Sequence, residues 1–440
     1  MNRMKYIIML LLLILSLESN AIDKSLYFSF GEKFSSSLYT YKISEDSIRT
    51  TIMFKLMNDN LNFKKTTAGS KSEVFFAEPE IELVLKDKQG VIRKRDLWKE
   101  KILITGYLNT ISKKDFIYGF KTLDLKNEDY QLEVKLISKR NSRDNEKIID
   151  INKVIDGSLA GSPFFVSSNS NDKFQLKPHV MDKAYGFHRK NTKLLIPIAE
   201  SISDLNIEIK KKKTDNDDRR DDSERNIYGQ RIFETDVEGR IIKSQNLSIR
   251  SVNNELNLDL LDSETGMDLL VVDLPENQMI PGEYTLKIPS ISFRYDFELK
   301  WDDRPIALSD MDFAIEKMYY ILTDEAYEDL KDGSKERQFE KFLYYWKQKD
   351  PSPETPFNEA MVQYFERVDF AFFNFQTLPE KDGASTDRGK IYILNGPPDI
   401  IENKSKDGKA VIEWTYSKYR EKYIFEAIQS GIFKLVEIKD

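Results

Sequence analysis

The sequence predicts a multidomain protein. N-terminal all-β antiparallel sandwich modules of immunoglobulin-like type precede an α+β C-terminal domain of helices and a small antiparallel sheet. Two changes of period predict this order. From Ile22 to about Lys300 apolar residues recur with period two in short runs. After Trp301 the period lengthens to about 3.6, and strand-like runs return at the end of the chain. Many short strands broken by turn signals suit a sandwich, and helices followed by an antiparallel sheet suit a two-layer α+β domain.

In the first module, residues 74–76, 81–85 and 101–104 are short β-rich runs, and residues 87–90 read as the turn after the second. Tyr130, Leu132, Val134 and Leu136 alternate with polar neighbours, as in a strand with one buried face. The polar run 141–146 sets a boundary, so the modules are expected at 22–145 and 146–300. In the second, Leu205, Ile207 and Ile209 alternate strictly, as do Leu256, Leu258 and Leu260. Pro281 and Gly282 open a hairpin-like pair over 283–288 and 291–299.

The domain at 301–440 begins with Met311, Ala314, Ile315, Met318, Tyr319 and Leu322 on one helical face, with Ser309 as N-cap. Phe339, Phe342, Leu343 and Trp346 form the stripe of a second helix that starts at Ser334 and stops before Pro351. Thr355 and Pro356 supply a cap and first-turn proline for a third. Its stripe is Met361, Tyr364, Phe365, Val368, Phe372 and Phe375, a pattern that is core far more often than ligand groove. Residues 390–394, 410–416, 423–428 and 433–438 are expected as four closing strands.

Composition excludes much chemistry. The 440 residues include no cysteine and two histidines, so disulfides, thiolate metal sites and Cys nucleophiles are out. Sixty-seven basic residues against 74 acidic ones give a net charge of −7, without the basic footprint of a nucleic-acid binder. The charged run at 210–225 reads as a solvated loop, because its opposite charges nearly cancel. Arg3 and Lys5 precede a short apolar run, followed by small residues at Ser19 and Ala21. That is the pattern of a signal peptide at 1–21, too short to span about 30 Å of hydrocarbon comfortably. A soluble exported protein is expected, periplasmic or associated with the outer envelope, with no transmembrane segment after cleavage. Without a cysteine it is not a lipoprotein.

Four segments mark the last third: residues 346–359, residues 364–368, Gly383-Ala384-Ser385-Thr386-Asp387 with the run that follows to Ile393, and Gly396-Pro397-Pro398-Asp399. In order and spacing they resemble the GWxTD-domain family of bacterial envelope proteins. Ala384 stands where the family's tryptophan is expected. Phe372 and Phe373 are the nearest aromatics able to fill its place. The resemblance implies an export signal and an N-terminal β region, and it implies no catalytic residue, cofactor or metal.

The motif residues Trp346, Asp350, Pro351, Asn358, Glu359, Arg367, Gly383, Thr386, Asp387, Arg388, Gly396, Pro397, Pro398 and Asp399 are the candidate structural site. Asp350, Glu359, Asp387 and Asp399 offer oxygen ligands for a hard cation or paired acids for glycoside hydrolysis. Caps and turns are the commoner use of such residues. Asp387 and Arg367 are expected to pair within about 6 Å. His179 and His188, nine apart, make a poor metal signature. Gly157-Ser158-Leu159-Ala160-Gly161 resembles a nucleophile elbow with its serine one position early. The expected function is non-enzymatic binding or assembly of other envelope proteins. Polysaccharide binding, or carboxylate-dependent glycan hydrolysis, is the alternative.

Overall fold

The computed structural model describes residues 33–66, 74–112, 115–137, 145–155, 157–168, 175–187, 191–199, 202, 205–212, 233–377, 379–429 and 431–439. The expected signal peptide, most of the charged run and His188 lie outside the described residues.

Alternation builds the first β unit. Strands β1 (Phe34–Ser44), β2 (Ser47–Met57) and β8 (Phe116–Lys126) form one antiparallel sheet. A second has the order β10 (Glu146–Ile151), β9 (Tyr130–Ile137), β5 (Glu80–Asp87), β6 (Ile92–Lys99). In β9 the residues Tyr130, Leu132, Val134 and Leu136 are buried and alternate with more exposed ones. They meet Ile52, Phe54, Ile81 and Leu83 in one core shared by both sheets. Strand β10 pairs with β9 and so belongs to this unit's sheet, although the sequence reading placed residue 146 at the start of the second module. A small ladder of β3 (Lys64–Lys65), β4 (Val74–Ala77) and β7 (Ile102–Thr105) completes the unit, and the helical turn α1 (Tyr107–Thr110) follows it.

The second β unit contains a closed barrel. Its strands run in the order β11 (Phe164–Ser168), β12 (Gln175–Pro178), β18 (Glu255–Asp262), β17 (Arg240–Val252), β19 (Met267–Asp273), β14 (Thr192–Ile198). Beside it lies a sheet of β13 (Ala184–Gly186), β21 (Phe293–Lys300), β20 (Gly282–Ile288), β15 (Asn206–Lys211) and β16 (Glu234–Glu238). Continuous apolar runs mark strands buried on both faces. Leu270 and Val272 of β19 face the open sheet's core, while Leu269 and Val271 face the barrel's. The β13–β21 pair is parallel, an addition to the antiparallel pattern.

A short extended segment joins the two units. Gly161 bridges to Tyr41 of β1 and Leu159 bridges to Ile198 of β14. The Lys42 amide donates to the Ala160 carbonyl and the Ala160 amide to the Pro197 carbonyl. Gly161 is required there, since a Cβ would collide with the Thr40 carbonyl and lie 2.8 Å from Tyr41 Cα.

The C-terminal domain packs helices on one face of a four-stranded meander. The helices are α2 (Met311–Lys317), α3 (Asp324–Lys331), α4 (Lys335–Lys349), α5 (Glu359–Asn374) and α6 (Asp387–Asn395). The strands, in sheet order, are β22 (Ile400–Lys406), β23 (Lys409–Tyr416), β24 (Glu421–Gln429) and β25 (Ile432–Lys439). Phe342, Trp346, Phe365 and Val368 meet Trp414, Tyr423 and Phe425 in one core.

Several expectations are corrected in this domain. Residues 390–394 are helix, not strand: Thr386 caps α6 and Ile391 and Ile393 are buried in it. The first strand of the sheet is β22, which carries no apolar stripe. Asp310, not Ser309, caps α2. The helix ends at Lys317 in a 3-10 turn that leaves Tyr319 exposed. Asn358, not Thr355, caps α5, its side chain accepting from the Met361 amide. Ser334 caps α4 as expected.

The C-terminal domain touches both β units. Trp301 and Phe357 make edge contacts with Phe187 at 5.7 and 5.4 Å. Lys55 of β2 pairs with Asp302 at 3.2 Å and lies 3.9 Å from the centre of the Phe116 ring.

Candidate functional site

The turn before α6 is built by residues that each settle a piece of backbone. Asp382 accepts from the Ala384 amide at 2.9 Å and so starts a 3-10 turn over Gly383–Ser385. Gly383 lies directly on the end of α5. A Cβ there would collide with the Ala371 carbonyl and stand 2.6 Å from that of Phe372. Gly389 makes the reverse approach, with the Ala384 carbonyl 2.8 Å from its absent Cβ. Thr386 donates to the Gly383 carbonyl at 2.7 Å and accepts from the Gly389 amide at 3.0 Å. It thereby ends one turn and caps the next helix. Asp387, in the first turn of α6, suits the positive end of the helix dipole and accepts from the Leu435 amide at 2.8 Å.

Lys317 is the charge at the centre of this turn. It is buried, and its Nζ donates to Asp382 at 2.6 Å, Ser385 at 2.7 Å and Glu316 at 2.8 Å. Burial is the largest influence and lowers its pKa. The hydrogen bonds and charges of Asp382 and Glu316 outweigh it, so the net shift is upward and the amine stays protonated. Ser385 donates to Asp382 at 2.6 Å. A protonated lysine beside that serine is a donor and no base, so the three groups form an ion-pair clamp. Tyr320 donates to the Ala384 carbonyl at 3.0 Å, and Tyr364 donates to that of Lys317.

Residues 301–432 match the family model of the GWxTD domain. They make up the C-terminal third of the chain. A search of the curated proteins finds no match.

Ala384, at the motif's tryptophan position, is fully buried in the GWxTD domain's core. Phe372 lies in the same core, edge-on to Phe313 at 5.7 Å and to Phe373 at 5.2 Å. The other motif residues hold neighbouring elements. Trp346 packs against Phe342, Tyr345, Tyr364 and Phe365, and its carbonyl accepts from Asn358 Nδ2 at 2.7 Å. Arg388 lies between the rings of Phe375 and Phe433, 5.2 and 4.7 Å from their centres. Burial lowers its pKa while Glu380 acts the other way. Gly396, at φ 81°, ends α6, and its carbonyl accepts from Tyr416 at 2.9 Å. Pro397 and Pro398 link it to β22, much as Pro351 follows the end of α4.

The expected pair of Asp387 and Arg367 does not form. Arg367 donates to the Ile393 and Leu394 carbonyls at 3.4 and 3.2 Å, at the far end of α6. Asp387 sits at the near end, with Lys434 Nζ at 3.7 Å. A helix of nine residues separates its ends by roughly 13 Å. Each charge therefore serves its own terminus, the acid at the N-terminal end and the guanidinium at the C-terminal end.

The four carboxylates do not converge either. Asp350 and Glu359 are brought near each other by Ser352, whose amide donates to Asp350 at 2.9 Å and whose hydroxyl donates to Glu359. Burial, then the charges of Glu359 and Glu354, raise the Asp350 pKa, against its hydrogen bond from Ser352. Asp399 accepts from the Ser417 amide at 2.6 Å and is tied to the sheet instead. Among the described residues no group of three or more His, Asp or Glu is placed to hold a metal ion. His179 Nε2 lies 2.6 Å from Ser167 Oγ, and Ser158 belongs to the joining segment rather than to an elbow.

A cleft of about 720 Å³ lies between the two β units. Its lining includes Ser37, Thr40, Asp150, Phe165, Asp182 and Tyr295, and it takes in His179.

Sequence reasoning missed Lys317 and Asp369. Buried Asp369 accepts from the Ile306 and Ala307 amides at 2.6 and 2.9 Å and anchors the entry to the domain. Both carried a signal. Lys317 falls four residues after Phe313, and Asp369 four after Phe365, so each is a charge on an apolar helical face.

Proposed function

We propose that the protein is an exported, non-enzymatic envelope component that binds or helps assemble other envelope proteins through residues 301–440. The observation that carries this reading is strand β22. It is exposed along its whole length and forms an end of its sheet, with Ile400 and Ile401 about half exposed. Ile401 extends the row of Trp414, so the strand offers both unpaired backbone groups and apolar side chains for strand addition. The occupied state of the motif turn supports a non-catalytic role, since its polar groups are engaged in caps and ion pairs. Residues 1–21 support export. The test is a photo-crosslinking residue at position 401 of the full chain in cells. One reproducible envelope protein is expected, and it is lost in Ile401→Asp placed beside a crosslinker at 400. An empty crosslink list, with the chain free in the soluble fraction, overturns the proposal.

The interdomain cleft favours a second reading, glycan binding. Aromatic rings, hydroxyls and the acids Asp150 and Asp182 together suit a neutral polyhydroxylated ligand. Saturation-transfer NMR with envelope polysaccharide fragments tests it, and a Tyr295→Ala variant that binds as well as the wild type removes it.

A further inference from the structure

The sheet of the C-terminal domain has two edges, and they are finished differently. At one edge Asp387 accepts from the Leu435 amide at 2.8 Å, Arg388 lies over the Phe433 ring, and the β24–β25 ladder is bulged at two points. Such devices close an edge to further strands. At the other edge β22 pairs with β23 in unbroken register, from Ile400 opposite Thr415 to Lys406 opposite Lys409. It is exposed along its whole length. The domain's core takes side chains from β23, β24 and β25 and, among the described residues, none from β22. On one face of this open strand stand Ile400, Glu402, Lys404 and Lys406. Glu402 is opposite Glu413 of β23, a like-charge pair, and Lys404 serves both, at 3.1 Å from Glu402 and 2.6 Å from Glu413. The next place in the row from Glu413 to Glu402 lies beyond the edge of the sheet, and a cation suits it.

We propose that this place is filled by Lys404 of a second copy of the chain, the two β22 strands lying antiparallel with Asn403 at the two-fold axis. The inference rests on the reading of β22 as an edge for strand addition, and it adds the state in which that edge is held until a partner strand displaces the copy. Charge selects both the occupant and the register. With the axis at Asn403, all seven residues of each strand are paired. Ile400 falls opposite Lys406, Ile401 opposite Ser405, and Glu402 opposite Lys404, each pair occurring twice by symmetry. An axis at residue 402 sets Glu402 against itself, and an axis at residue 404 sets Lys404 against itself. A parallel pair in register brings together both sets of like charges. The edge at β25, held by Asp387, receives no strand, so the assembly closes at two copies and does not run on as a fibre.

The chain has no cysteine, so a single introduced thiol reports the register. The test uses the full chain lacking residues 1–21. In Asn403→Cys the two thiols meet across the axis, where paired Cα atoms stand about 4.5–5.5 Å apart, within reach of a disulfide. Mild oxidation is expected to give a covalent dimer. In Lys406→Cys the two thiols are six residues out of step, about 20 Å apart, and the chain should stay single. Sedimentation of the unaltered protein should show a dimer that grows with concentration, and Lys404→Glu should weaken it by at least about tenfold. Adding Glu402→Lys to Lys404→Glu exchanges the charges and should restore the dimer, which no loss of fold would do. All three positions are exposed. A chain that is monomeric at every concentration, equal oxidation at 403 and 406, or an exchange variant no better than Lys404→Glu overturns the proposal. So does an envelope protein captured from position 401 by a chain that never dimerises, in which case the strand-addition reading stands. A dimer in the expected register from a chain that captures no envelope protein supports the pairing and removes that reading instead.

Discussion

Thr386 shows how much one hydroxyl does in this domain. It donates backward to Gly383 and accepts forward from Gly389, so its loss uncaps α6 and loosens the turn before it. Thr386→Ala should cost about 1–2 kcal/mol, read as a lower midpoint in urea at an unchanged slope. Ala384 makes the opposite case. Its side chain is fully enclosed, and the turn is fixed by Lys317, Tyr320 and two glycines that lie against backbone. The family's tryptophan therefore has no room. Ala384→Trp should destabilise the chain by about 1–3 kcal/mol or more, the usual result of overfilling a closed core. A variant as stable as the parent, with an unchanged near-ultraviolet spectrum, would show an open pocket beside the turn.

Among the elements, the joining segment at 158–162 has the largest reach, since it binds β1 on one side and β14 on the other. Gly161→Ala forces this segment off the edge of β1. The expected outcome is faster hydrogen exchange at Lys42 and Ser162 and earlier proteolysis between the units, with the barrel strands still protected. Unchanged protection at both amides would count against the joint. Such a joint was not legible in the sequence, because Gly157 to Gly161 has no apolar period and its partners are far away in the chain. Strongly periodic elements were legible: β9, α4 and the last three strands stand where the pattern put them. Residues 390–394 misled because a short apolar run with two isoleucines reads equally as a buried strand or a buried helix. The cap at Thr386 and the packing of Tyr392 on Phe370, 4.3 Å between rings, decide for the helix. Likewise, Arg367 and Asp387 were recognisable as charged motif residues, and only the helix between them shows that they cannot meet.

For the molecule as a whole, buried tyrosines set the alkaline limit. Burial pushes the hydroxyls of Tyr39, Tyr284, Tyr364 and Tyr416 well above their ordinary value of 10, and that of Tyr392 up to about 12. In the unfolded chain they ionise near 10, so above that pH the unfolded state binds fewer protons than the folded one. Stability contributed by these groups is present below pH 10 and is lost as pH rises toward the folded values. Melting temperature should thus be flat from neutral pH to about 9 and fall steeply above 10, with the share of tyrosinate absorbance that comes from the buried rings appearing together with unfolding. Full release of that absorbance near pH 10 from a chain still folded would sink the prediction. The contacts between units bear on a different matter, the order in which the protein is completed. Thr40 meets Ser162 across 122 residues, and Lys55 meets Asp302 across 247. Closures of such long loops are slow, and neither can occur before its later partner has left the ribosome. The edge of β1 is therefore bare until residues 158–162 have emerged, and a chaperone that shields it in that interval would decide how much of the protein survives its own synthesis.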